Sequence, residues 1–164
     1  MPEYHEDHLT VSMTMQLDHP AAIIWPLLCP VREYNWIEDW QCDLLHSISG
    51  VNELGCVFRT AFPTEGGPEV WLTSRFEPYE YLEFVRTNDQ RIIHYTVQIK
   101  ESHGSTTLLW TQHVTALNSD GHIYLEDKPQ RFATQMKVLE TMLDHYLKTG
   151  AMLRAQRLGL MEKI

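Results

Sequence analysis

The chain has 164 residues, 43% hydrophobic and 10% aromatic, and its 22 acidic against 13 basic residues give a formal charge of −9. That length and apolar content suit a single folded domain, residues 1–164, with a proper core. A net negative surface works against phosphate backbones and anionic membranes, both of which need clustered cations, so neither nucleic acid nor membrane insertion is expected.

The opening "MPEYHEDHL" is acidic and has no apolar signal-peptide core, and no run of about 18 apolar residues occurs. Cys29, Cys42 and Cys56 are odd in number and lack CxxC spacing, so neither a disulfide framework nor a structural zinc site is expected. A soluble protein of the reducing cytoplasm is the expectation.

"HLTVSMTMQL" alternates, with Leu9, Val11, Met13, Met15 and Leu17 on one face, and reads as a strand with one buried side. Asp18 stands where an N-cap belongs, and Pro20 in a first helical turn. "PAAIIWPLLCP" then predicts a short helix bent at Pro26 and stopped at Pro30, and "VREYNWI" a further turn or two. From Trp40 to Leu117 the period is two, broken by turns at "GVNELG", "TEGGPE", "NDQ" and "ESHGS". "WQCDLLHSIS" sets Cys42, Leu44, His46 and Ile48 on one face; "CVFRTAF" does so with Cys56, Phe58, Thr60 and Phe62. "VWLTSRF" is ambiguous: Val70, Leu72, Ser74 and Phe76 are the expected inward set, with Trp71 inward if a bulge shifts the parity. "YLEFVRT" turns Leu82 and Phe84 inward, and "RIIHYTVQIK" turns Ile93, Tyr95, Val97 and Ile99. "TTLLWTQHVTAL" completes an antiparallel meander.

After "NSDGH" and an undecided "IYLEDKP", Pro129 marks a helix start. Phe132, Met136, Leu139, Leu143, Tyr146 and Leu147 recur at helical spacing, and the pattern runs on toward Leu158. Gly150 either bends this helix or ends it. The whole predicts an α+β fold: about seven antiparallel strands whose apolar face must be covered, and the last helix is the element long enough to cover it.

This order of strands and helices resembles the helix-grip fold of the START-like (SRPBCC) superfamily. "HPAAIIWPLL", "YNWIEDWQCDLLHSISGVNELGCVFRT", "EVWLTSRFEPYEYLEFVR" and "GSTTLLWT" fit its polyketide cyclase/dehydrase-like group. The resemblance implies a pocket between curved sheet and long helix for a small apolar or aromatic molecule. Strand parity nominates Cys42, His46, Phe58, Thr60, Phe84, Tyr95, Trp110 and Gln112 as lining, with Trp71 as the ambiguous addition. The helix adds Met136, Leu139, Glu140 and Leu143, and the short helices Trp36 and Trp40.

Two functions follow: a non-catalytic binder of such a molecule, or a cyclase/dehydratase in which His46 or Tyr95 supplies acid/base chemistry. A domain whose interior is simply filled is a third. His46 and the two inward cysteines also read as ordinary core residues. No cofactor or metal is expected: nine histidines include no HxxxH or HExxH pattern, His94 and His113 fall on outward faces, and no nucleotide or nucleophile motif occurs.

Overall fold

A computed structural model describes residues 7–154. Strand β1 (His8–Leu17) is followed by a one-turn helix α1 (Ala21–Ile24) and two 3₁₀ turns, Trp25–Leu27 and Glu33–Asn35. Strands β2 (Asp43–His46), β3 (Val57–Phe62), β4 (Gly67–Glu77), β5 (Tyr81–Thr87), β6 (Arg91–Ser102) and β7 (Ser105–Ala116) come next, with a 3₁₀ turn at Pro63–Glu65 before β4. Helices α2 (Ser119–Glu126) and α3 (Lys128–Thr149) close the described chain.

The strands form one curved antiparallel sheet in the order β1-β7-β6-β5-β4-β3-β2. Consecutive strands from β2 onward are neighbours, whereas β1 pairs with β7, from His8 opposite Thr115 to Leu17 opposite Thr106. Strand β7 alternates without a break, burying Thr106, Leu108, Trp110, Gln112, Val114 and Ala116. Helix α3 returns Phe132, Met136, Val138, Met142 and Leu143 to the core made with that face. The expected sheet and covering helix are both present.

Four local expectations are corrected. Asp18 does not cap α1: its carboxylate accepts from Ser105, while the Ala21 amide donates to Glu101 Oε1 at 2.8 Å. The cap thus comes from a residue far along the chain. Strand β2 keeps only Asp43–His46, all exposed, because it is an outer strand paired with β3 alone. In β4 the parity changes within the strand. Glu69, Trp71 and Thr73 point inward, Val70 and Leu72 outward, and an irregularity between Thr73 and Arg75 lets Phe76 pack inward again. Trp71 faces inward without any bulge ahead of it, and the irregularity lies after it.

The fourth concerns the C-terminal region. "NSDGH" begins a helix, because the Asn118 side chain accepts from the Gly121 amide at 3.0 Å and caps α2. Gly150 ends α3 rather than bending it. It takes the left-handed conformation (φ 72°) and its amide donates to the Tyr146 carbonyl at 2.7 Å. Residues 151–154 are not helical, and the rest of the expected run toward Leu158 lies outside the described residues.

Candidate functional site

A cavity of about 450 Å³ lies between the sheet and α3. Its sheet side carries five rings in sequence across β3 to β7. Phe58 stacks on its cross-strand partner Trp71 (5.1 Å between centroids), and Trp71 meets Phe84 edge-on at 5.6 Å and Tyr95 at 6.1 Å. Tyr95 in turn lies 5.8 Å from Trp110. These rings share the cavity because alternate residues of neighbouring strands face one side. Helix α3 supplies Phe132, Gln135, Met136, Val138, Leu139 and Met142, a stripe at helical spacing. Trp36, Ile37 and Trp40 from the segment after α1 complete the lining.

The polar edges of this wall are mostly tied down. Trp36 donates to the Leu27 carbonyl (2.9 Å), Trp40 to that of Pro30 (2.8 Å), and Trp71 to Thr60 Oγ1 (2.9 Å). Trp110 Nε1 and Gln112 Oε1 are buried and have no hydrogen-bond partner among the described residues. The Tyr95 hydroxyl donates to Met136 Sδ at 3.6 Å, and burial raises its pKa above the usual phenol value. Half-buried Glu33 also lines the cavity; its carboxyl has no hydrogen bond or ion pair among the described residues, and burial pushes it up to about 8. Near pH 7 it is therefore largely a neutral acid, able to donate a hydrogen bond or a proton.

A buried charge cluster stands where β4 and β5 meet the two C-terminal helices. Arg86 donates through Nε to Glu69 Oε2 (3.0 Å) and through Nη2 to both Glu69 Oε1 and Glu65 Oε2, the latter at 3.1 Å. Its guanidinium also lies over the Trp71 ring, 4.4 Å from the centroid. Arg91 pairs with Glu69 at 3.1 Å and donates to the Glu65 carbonyl. Tyr124 donates to Glu65 Oε2 (2.7 Å) and accepts from Lys128 Nζ (2.9 Å). Burial works to raise the Glu65 carboxyl, but Arg86, Lys128 and the Tyr124 hydroxyl outweigh it and hold the group at about 2. Lys128 goes the other way: burial takes its ammonium down to about 7. Arg86 and Glu65 line the cavity; the rest of the cluster stands behind them.

Ten of the residues nominated from the sequence come together here: Trp36, Trp40, Phe58, Trp71, Phe84, Tyr95, Trp110, Gln112, Met136 and Leu139. Thr60 is buried behind the wall and holds Trp71. Leu143 is fully buried in the core away from the cavity, and Glu140 pairs with Lys137 at 3.2 Å. Cys42 sits beside the Pro30 carbonyl, with its thiol pushed up by burial, outside the lining. His46 is exposed on β2 and does not reach the cavity, so its nomination as an acid/base group is corrected: an outer strand with no buried face cannot aim it inward. His8, His113 and His94 form a stacked row on the outer face of the sheet. Among the described residues no group of three or more His, Cys, Asp or Glu side chains is placed to hold a metal ion.

Several lining residues escaped the sequence reading, chiefly Glu33, Glu65, Arg86 and Gln135, while Phe62 was placed on the face of Phe58 but not nominated. Arg86 shares the parity of Leu82 and Phe84, so the signal was present and ran against the usual exposure of arginine. Gln135 occupies the helical stripe one position before Met136. Glu33 sits in a 3₁₀ turn whose orientation is set by packing, and no local pattern reports it.

No family model matches this chain, and no curated protein matches it in sequence. Solved structures do resemble it. DynU16, a protein of the dynemicin biosynthetic locus, superposes with a TM-score of 0.63 at 16% identity over 87% of this chain, which spans 48% of DynU16. The Zhui aromatase/cyclase of Streptomyces sp. R1128 gives 0.65 at 12% identity, covering 89% of this chain and 99% of its own. Ara h 8.0201 gives 0.62 at 8% identity, with 87% and 99% covered. At such identities the likeness is one of architecture: a curved seven-stranded sheet gripping a long C-terminal helix around a cavity. The chain has the helix-grip fold.

Proposed function

We propose that the protein binds a small apolar or aromatic molecule in the cavity between its sheet and α3. The observation that carries this reading is the unbroken wall of Phe58, Trp71, Phe84, Tyr95 and Trp110, most of its polar edges satisfied, beside a void of about 450 Å³. A volume of that order accepts a ligand of two or three fused rings, and flat rings gain from offset and edge contacts beyond their buried area. An interior meant only to be filled would close such a space, since unfilled cavities are costly.

The test uses the neutral fluorescent probe N-phenyl-1-naphthylamine. It is expected to bind with enhanced emission, and Trp110→Ala or Phe58→Ala to weaken binding about tenfold with circular dichroism unchanged. Unaltered affinity in both folded variants would remove the wall from the binding site. Native mass spectrometry of freshly purified protein would reveal a co-purified guest.

A cyclase/dehydratase-type activity is the second reading, supported by Glu33, a largely protonated carboxyl that shares the cavity with Tyr95. Such an acid can hand a proton to a substrate carbonyl or a departing hydroxyl. An enzyme named as an aromatase/cyclase shares the fold, which agrees with either reading. On this reading Glu33→Gln leaves probe binding intact and abolishes conversion of a linear poly-β-ketone, whereas a pure binder converts none in either form.

A further inference from the structure

We infer that the molecule this cavity takes is an organic monoanion, a flat apolar body carrying one carboxylate or similar group, and that the anion docks on Arg86 Nη1. The inference rests on the binding reading above and adds to it the ligand's charge and the place where that charge sits.

Three cations, Arg86, Arg91 and Lys128, are 5%, 0% and 0% exposed, and among the described residues they face only two buried carboxylates, Glu65 and Glu69. Buried charges are retained when they are paired. Three cations thus share two acids: Glu69 is shared by Arg86 and Arg91, and Glu65 Oε2 takes Arg86 and Tyr124, with Lys128 Nζ 3.8 Å away. Arg86 spends Nε and Nη2 on these two acids, and its Nη1 has no partner among the described residues. Because Arg86 lines the cavity, this remaining nitrogen is the donor available to a guest. One surplus positive charge calls for one negative charge, which favours a carboxylate over a doubly charged phosphate. A charge-assisted hydrogen bond of this kind is about twice as strong as a neutral one.

The apolar part follows from the neighbours. Arg86 stacks on Trp71, so a group held at Nη1 is next to the ring wall, and an aryl body would run along Trp71, Phe84 and Tyr95. Burial holds the Lys128 ammonium down at about 7, with Glu65 opposing the effect and Arg86 adding to it. The charged and titratable groups around it are Glu65 before β4, Glu69 on β4, Arg86 on β5, Arg91 on β6, Tyr124 on α2 and Arg131 on α3. An arriving anion stabilises the ammonium form, so binding takes up protons near neutral pH.

The test compares two probes of nearly equal shape, 2-naphthoate and 2-naphthamide, by titration calorimetry at pH 7. Naphthoate is expected to bind the wild-type protein at least tenfold more tightly. In Arg86→Gln the affinity ratio of acid to amide is expected to fall from at least tenfold to about one. If the variant does not fold, the wild-type comparison decides alone. Equal affinities for acid and amide overturn the anion site, and leave the cavity as a binder of neutral rings so long as N-phenyl-1-naphthylamine still binds. Failure of all three probes removes the binding reading itself.

Discussion

At the scale of single residues, the cavity's chemistry depends on side chains that composition alone would place outside. Glu33 is the sharpest case. Its carboxyl stands at about 8 in the folded protein against an ordinary 4.5, so on raising the pH the unfolded chain releases its proton first. The stability this group contributes is therefore complete below about pH 4.5 and lost progressively toward pH 8. Glu33→Gln, which cannot ionise, is expected to match the wild type near pH 4.5. At pH 8 it is expected to exceed it by at least about 1 kcal/mol, a rise of about 2–4 °C in Tm by thermal melts. Equal melting temperatures at both pH values would show that Glu33 is ordinarily solvated. None of this was legible in "VREYNWI", whose polar residues look like a wet turn. Arg86 was legible, since Leu82, Phe84 and Arg86 alternate inward, but its charge argued the other way until Glu65 and Glu69 were seen opposite it.

Among the elements, those with one wet and one dry face could be read directly. Strand β7 buries every second residue, and α3 repeats its apolar positions at helical spacing; both formed, α3 ending at Gly150 short of the expected run. Elements whose form depends on distant partners could not. The amide at the start of α1 is satisfied by Glu101, 80 residues away, and β2 has no buried face to imprint a period. Helix α2 was masked because its signal is a single cap, Asn118, followed by Gly121 within the first turn. That glycine has a packing reason. A Cβ there would collide with the Gln90 carbonyl and crowd Ala116, and the same carbonyl accepts from the Leu117 amide at 2.7 Å, so it cannot simply retreat. Replacing a helical glycine by alanine ordinarily adds about 1 kcal/mol, whereas overpacking costs about 1–3 kcal/mol. Because the clash is with backbone, the cost lies at the upper end, and Gly121→Ala is expected to destabilise the protein by about 2 kcal/mol in urea unfolding; a gain in stability would mean that α2 shifts freely.

For the molecule as a whole, the cavity is stability forgone, and a guest should restore some of it. A ligand held only by the folded state, at a hundred times its Kd, adds about 2.7 kcal/mol. For a chain of this length that corresponds to a rise of about 5–10 °C in Tm, readable with saturating N-phenyl-1-naphthylamine or 2-naphthoate. No shift with a probe that binds would mean that the unfolded chain takes it up equally well. The sheet's strand order carries a different consequence. Strand β1 is synthesised before the other strands of its sheet, yet its only strand partner among the described residues is β7, with His8 waiting for Thr115. Closing a loop of about a hundred residues precedes any reward from that pairing, and topologies dominated by such remote contacts fold slowly, over about milliseconds to seconds. Until synthesis reaches β7, the apolar side of "LTVSMTMQL" has no sheet to join, so the nascent chain must carry an unsatisfied sticky segment while the strands from β2 to β7 are made.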